Sequence, residues 1–353
     1  GPGRVEVAGR EYRARSIVLA TGSRPVVPKP WRAFGDRILT TDTLFEQQTL
    51  PGRIAVVGLG AIGVEIAQAL ARLGVQVWGF DAAERLAGVA DPRVEAVLRE
   101  ALGGEFRIRT GVAVELAEAA GGIEVKAGDE RVVVDKVLAA VGRRPNLAGL
   151  GLETLGVKLD ERGMPPVDPS TMRIGDLPVF LAGDANGDRA LLHEAADEGH
   201  IAGLNAVAEE PLCFQRRTPL GVVFCAPNLA TVGLRFDRFD AATMIVGEAD
   251  FRRQSRARMT SRDHGLARVY ADRESGRLLG ATMCVPEGEH MAHLLALAVG
   301  QGLTVADLLR MPVYHPVLEE GLRGAFRELA KQLPGGGESD LAACEGFQAE
   351  ALD

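Results

Sequence analysis

The 353-residue sequence predicts an α/β chain: a doubly wound parallel sheet, then a separate α+β region toward the C-terminus. Three observations carry this. Short apolar runs end in glycine at Gly22, Gly58, Gly142 and Gly183, as buried strands do before a turn. A segment of helical period follows the second run directly. From about Arg217 strand-like stretches come in succession and only then give way to helices.

The second run is the most informative. Residues 56–81 read VVGLGAIGVEIAQALARLGVQVWGFD. Ile54 to Val57 form a buried strand, and Gly58, Gly60 and Gly63 follow with GxGxxG spacing. Ile62, Ile66, Leu70 and Leu73 are expected to form one apolar helix stripe, and Gly74 stands where a helix C′ glycine belongs. Gln76 to Phe80 make the next strand, which Asp81 closes. Gly58 permits the tight turn, Gly60 lets a pyrophosphate approach the backbone, and Gly63 lets the helix rest on the strand. Asp81, 18 residues after Gly63, can accept from both ribose hydroxyls and repels a 2′-phosphate. This is a Rossmann-like site for NAD. Arg85 lies close enough to leave NADP open. Glu65 has two readings: an acid suited to the helix dipole, or a group reaching toward the nicotinamide end.

Composition limits the rest. A net charge of −8 argues against a general nucleic-acid binder. No apolar run is long enough to span a bilayer and no signal-peptide h-region opens the chain, so a cytoplasmic protein is expected. Cysteines 213, 225, 284 and 344 form no CxxC pair, and no metal site is read. Buried, reduced thiols are the plainest reading of them.

Two further strands run into glycine turns, ATGSRP at Thr21, Gly22 and Ser23, and AAVGRRPN at Gly142. LAGDAN and LLHEAADEG follow around Asp184 and His193, and HPVLEE opens at His315. In this order the motifs resemble the flavin-dependent pyridine nucleotide–disulfide oxidoreductases, most nearly dihydrolipoyl dehydrogenase, over residues 4 to 333. The resemblance implies FAD and NAD as cofactors, a homodimer, and a dithiol substrate, commonly a lipoyl group. Thr21 to Ser23 would be the crossover between flavin and NAD domains. Glu65, Val112 and Gly142 would line the NAD site, Asp184 would bond the flavin's ribityl chain, and Ala190, Leu191, Leu192 and His193 would run beneath the flavin ring. Read by itself, Asp184 could instead cap the next helix. His193 would pack, or touch flavin through its backbone.

In the C-terminal third, residues 218–234 and 265–285 read as strands, the latter a hairpin around Ser275-Gly276. A helix, a Gly302 break and a Thr304-capped helix follow. His315 precedes Pro316, which suits a first helical turn, and the helix is expected to run to about Gln332 with Glu320 one turn in. Taken alone, such a histidine is a surface cap residue. The resemblance makes it the acid–base of a dithiol site in the partner subunit, held by Glu320. Val313 stands where many relatives have a second histidine.

The expected domains are a remaining part of the FAD domain (1–46 and 147–215), the NAD domain (47–146), an α+β dimerisation domain (216–333) and a flexible tail (334–353). The family's CxxxxC and its first GxGxxG have no counterpart in the sequence. An incomplete form of a full enzyme is therefore expected. The alternatives are a non-catalytic NAD(H)-binding dimerisation module and an NADPH-dependent disulfide reductase. The 353-residue polypeptide is expected to bind NAD(H) weakly and to turn over no lipoamide. A yellow sample that reduces NAD⁺ with dihydrolipoamide contradicts this.

Overall fold

A computed structural model describes residues 1–334. The expected tail beyond its first residue, with Cys344, lies outside the described residues. The chain divides into two compact units, Gly1–Lys29 with Val141–Arg217, and Pro30–Ala140 with the chain from Thr218. The division runs at 29/30 and 140/141, not at the 46/47 and 146/147 boundaries read from sequence. The NAD-type sheet and the C-terminal α+β region share the second unit.

That unit is built on a five-stranded parallel sheet in the order Ile38–Leu39, Lys136–Ala139, Arg53–Val57, Gln76–Phe80, Arg107–Arg109. Helices Ala61–Arg72 and Pro92–Gly103 cross between its strands. The first helix buries Gly63, Val64, Ala67, Gln68 and Leu70. This corrects the expected stripe: Ile62 is exposed, Leu73 is 68% exposed, and Leu70 alone of the four is buried. The helix is rotated because its start lies against the glycine turn. A Cβ on Gly63 would sit 1.8 Å from the Gly58 carbonyl oxygen, so the smallest residues face the strand. Gly74 follows the helix at φ +89°, as its position predicts. A three-stranded antiparallel sheet, Val114–Ala119, Gly122–Ala127 and Glu130–Val134, joins this region.

The α+β region has a five-stranded antiparallel sheet in the order Leu220–Val223, Asn228–Gly233, Leu278–Val285, Leu266–Asp272, Met244–Asp250. The hairpin turns at Ser275-Gly276, where Asp272 accepts from the Ser275 hydroxyl and backbone N–H. Helix Gly288–Gly300 ends before Gly302, and Val305–Arg310 starts from a Thr304–Asp307 capping box, both as expected. Helix Glu320–Ala330 lies on the strand at Gly247, where a Cβ would come 2.1 Å from the Ala325 carbonyl oxygen.

The two five-stranded sheets of this unit meet over buried polar groups. Asp91 is fully buried. It caps helix Pro92–Gly103 by accepting from the Arg93 and Val94 N–H groups. The same carboxylate accepts from Tyr270 Oη at 2.7 Å and from Arg268 Nη1 at 2.5 Å. Burial pushes the Tyr270 phenol far above its ordinary range, so it stays a neutral donor. Two residues of helix 61–72 make a second seam. Gln68 receives the Ala226 N–H and donates to the Ala226 carbonyl, and Glu65 accepts the Phe224 N–H at 2.7 Å.

The first unit holds an exposed hairpin (Arg4–Val7, Arg10–Arg13), a parallel pair (Ile17–Leu19 with Val179–Leu181) and an antiparallel pair (Ser23–Pro25 with Arg143–Pro145). Strand 17–19 is expected to be buried, yet Val18 is exposed: Ile17 and Leu19 pack on one face of the strand and Val18 stands on the other. Helix Leu192–Val207 packs Ile201 and Ala202 onto Phe180 and Ala182.

Asp91→Ala removes a helix cap and takes from Arg268 and Tyr270 their shared buried acceptor, while Arg268 keeps Glu248. A loss of about 3 kcal/mol is expected, since a buried cation loses one of its two carboxylates and the other donors lose their partner. A urea midpoint unchanged from wild type contradicts this.

Candidate functional site

The glycine turn and its acid form one assembly in the second unit. Strand 53–57 feeds Gly58, and helix 61–72 starts from Gly60 with no side chain capping it. Its first N–H groups are thus left for an anion. Asp81, at the end of the neighbouring strand, braces the turn: Oδ2 accepts the Leu59 N–H at 2.6 Å and Oδ1 accepts the Ala83 N–H at 2.8 Å. Each oxygen keeps a lone pair for a ribose hydroxyl. The Val112 N–H donates to the Asp81 carbonyl, which places Val112 beside that acid. A bare turn, an uncapped helix start and a carboxylate at the strand end fit a dinucleotide.

Glu65 combines neither of its two readings cleanly. It is the fifth residue of the helix, and its carboxylate holds the Phe224 backbone. Gly142 lies in the first unit, at φ +110°, where its carbonyl accepts the Val26 N–H.

The first unit gathers the residues read as the flavin side. Ser23 donates its hydroxyl to Asp184 Oδ2 at 2.7 Å and accepts from Arg143 Nε at 2.7 Å. Thr21 and Gly22 are tied to Asn146, through the Thr21 hydroxyl and the Gly22 carbonyl. Asp184 sits in the Gly183–Asn186 turn and caps no helix; helix 192–207 has no side-chain cap. Ser23, Asp184, Arg143 and Ala190 border a cleft of about 810 Å³, within the size range of ligand pockets. Ala190, Leu191, Leu192 and His193 line the entry to helix 192–207 and are exposed. A carboxylate fixed by a hydroxyl at the wall of a cleft fits the polyol part of a flavin.

The histidine site is in the second unit. His315 Nδ1 lies 2.9 Å from Glu320 Oε1, and the histidine side chain is 68% exposed. A carboxylate only accepts, so Nδ1 is the donor of this bond and Nε2 is left for another partner. The helix begins at Glu320 and ends at Ala330, later and shorter than expected, and Pro316 lies outside it after a cis peptide bond. The chain from 318 closes short turns, Gly321 N–H to Leu318 and Leu322 N–H to Glu319, and regular helix starts there. Tyr314 stands beside the pair, 80% exposed.

Of the described thiols, Cys213 is exposed while Cys225 and Cys284 are buried. Burial pushes the Cys225 thiol up to about 11 and raises Cys284 as well, so both are inert. Among the described residues no His, Cys, Asp and Glu cluster could hold a metal, and no helix is long and apolar enough to cross a membrane.

Three groups escaped sequence reading: Gln68, Arg143 as donor to Ser23, and the acids of helix 192–207. Gln68 interrupts an apolar face, and Glu194 and Glu198 stand four apart, which is the signal that could have found them.

Residues 2–199 match the family model described as pyridine nucleotide-disulphide oxidoreductase, and residues 220–326 match that family's dimerisation domain. The chain is 36% identical to a dihydrolipoyl dehydrogenase of Thermus scotoductus over 343 residues, covering 94% of this chain and 74% of the relative. It is 28% identical to an NAD(P)H dehydrogenase (quinone) of Mycobacterium tuberculosis, covering 95% of this chain and 68% of the relative. The crystal structure of LpdA from Mycobacterium tuberculosis superposes with a TM-score of 0.81 at 28% identity, over 91% of this chain and 71% of that one.

Asp81→Ala frees the Leu59 and Ala83 N–H groups and removes the ribose acceptor. NADH affinity is expected to fall about 10- to 100-fold, the worth of hydrogen bonds to a charged group. Fluorescence titration checks this, and an unchanged dissociation constant contradicts it.

Proposed function

Because the chain belongs to the pyridine nucleotide–disulphide oxidoreductase family, we propose that it serves as a flavin-dependent dithiol oxidoreductase of dihydrolipoyl dehydrogenase type, with NAD⁺ as electron acceptor. The family's cofactors are FAD and NAD(H). The observation that carries the reading is the His315–Glu320 pair at 2.9 Å, inside the segment matching the dimerisation domain.

In this reading Gly58, Gly60, Gly63 and Asp81 grip NAD, with Glu65 and Val112 along its site. Thr21, Gly22, Ser23 and Asp184 hold one side of FAD, and Ala190, Leu191, Leu192 and His193 pass beneath its ring. When bound, the flavin supplies the two-electron relay between sulphur and nicotinamide. Glu320 fixes the His315 tautomer. His315 Nε2 takes the proton of a thiol, because the thiolate and not the thiol attacks a disulfide. In the reverse direction it returns that proton. No two of the four cysteines have four residues between them, so in this reading the sulphur pair that receives the dithiol's electrons is not supplied by these residues. The dimerisation segment supports a homodimer, and in this reading His315 serves the partner's cleft.

A second reading, quinone reduction by NAD(P)H, has one observation in its favour. Tyr314 offers an exposed aromatic face beside His315, suited to stacking on a planar acceptor.

In the holoprotein isolated from its own cells, His315→Gln is expected to lower dihydrolipoamide-driven NADH formation about 10²- to 10⁴-fold, the range of a lost acid–base group. NADH binding stays unchanged. Equal turnover by the variant overturns the dithiol reading, and turnover with menadione alone favours the quinone reading.

A further inference from the structure

The helix at residues 192–207 carries two buried acids that the proposed chemistry does not use. Glu194 is 6% and Glu198 1% exposed. Both meet Arg216, whose Nη2 reaches Glu194 Oε2 at 2.5 Å and Glu198 Oε1 at 3.1 Å. Arg189 adds a second cation on Glu194 at 2.8 Å. Two acids and two bases therefore balance, which is what burial requires.

Glu198 does more than neutralise Arg216. Its Oε2 accepts the Gly183 N–H at 2.8 Å, and its Oε1 accepts from Asn186 Nδ2 at 3.3 Å. These are the first and last residues of the turn that carries Asp184. One carboxylate thus grips both ends of the turn from below, while Ser23 holds Asp184 from the side. A four-residue turn has little of its own to fix the direction of a side chain. A half-buried Gly183 N–H left unpaired would also be costly, so the carboxylate and the turn are held together.

We propose that Glu198, itself steadied by Arg216, is a positioning residue that sets the Gly183–Asn186 turn and thereby aims Asp184 at the flavin. This rests on the reading of Asp184 as a flavin ligand. Glu198 touches neither cofactor nor substrate. It acts by fixing where the Asp184 oxygens stand before the ligand arrives, so the ordering is complete in advance and binding does not have to supply it.

Two substitutions separate reach from charge. Glu198→Asp keeps the charge opposite Arg216 but withdraws the oxygen from Gly183. Glu198→Gln keeps an acceptor at the right reach and gives up the charge. Apoprotein prepared from the holoprotein is titrated with FAD by flavin fluorescence, with NADH binding as a check that the second unit is intact. Glu198→Asp is expected to weaken FAD binding at least about 10-fold and Glu198→Gln less than about 3-fold. In an Asp184→Ala background Glu198→Asp adds less than about 2-fold, because residues acting through one another are not additive. Unchanged binding in Glu198→Asp, equal losses in the two variants, or losses that multiply with Asp184→Ala overturn the proposal. If wild-type apoprotein takes up no FAD, the flavin reading fails, and amide exchange at Gly183 then judges the positioning claim. Faster exchange in Glu198→Asp supports it, and retained protection overturns it.

Discussion

The contact between helix 61–72 and the turn before it constrains the rest of the parallel-sheet region of the second unit. The helix can present its bare N–H groups only if its first turn lies on the Gly58 carbonyl, and only glycine at 63 leaves room. Asp81 then locks the same turn from the neighbouring strand through the Leu59 N–H. Backbone, helix dipole and carboxylate are in place without a ligand, which is the condition for binding a charged molecule at small ordering cost. The rotation that this contact imposes also decides which helix face is buried, and through Glu65 and Gln68 it decides what the helix holds on its far side.

Buried polar residues recur as the parts that set geometry. Asp91 joins two sheets, Gln68 ties a loop, and Glu198 holds a turn. Each satisfies backbone N–H groups that would otherwise be stranded. Such residues combine a stability role with a positional one, because a fully bonded buried carboxylate has few alternative arrangements.

The sequence made most of the strand–turn–helix–strand at residues 53–80 legible, because Gly58, Gly63 and Gly74 each have a backbone reason to be glycine. It also made the hairpin at Ser275-Gly276, the Thr304 cap and the His315–Glu320 pairing legible, since turn and cap chemistry is local. The apolar stripe of helix 61–72 was misread. Period alone counts Ile62 and Leu73 as core, whereas the close approach at Gly63 turns the small residues inward. The late start of helix 320–330 was hidden because proline beside histidine suits a helix entrance as well as a turn. The division into units follows contacts between segments far apart in sequence, such as Arg268 with Asp91, which no local pattern records. The Glu198 network is legible only in part: the spacing of Glu194 and Glu198 is local, whereas the partners of Glu198 lie 12, 15 and 18 residues away.

The central claim is that a carboxylate at the second strand end makes this a site for a nicotinamide dinucleotide without a 2′-phosphate. Parallel titration of the protein with NADH and NADPH, at one ionic strength, tests it most directly. The account predicts that NADH binds at least about 10-fold more tightly, since a 2′-phosphate would face the Asp81 carboxylate. Equal affinity, or a preference for NADPH, contradicts it.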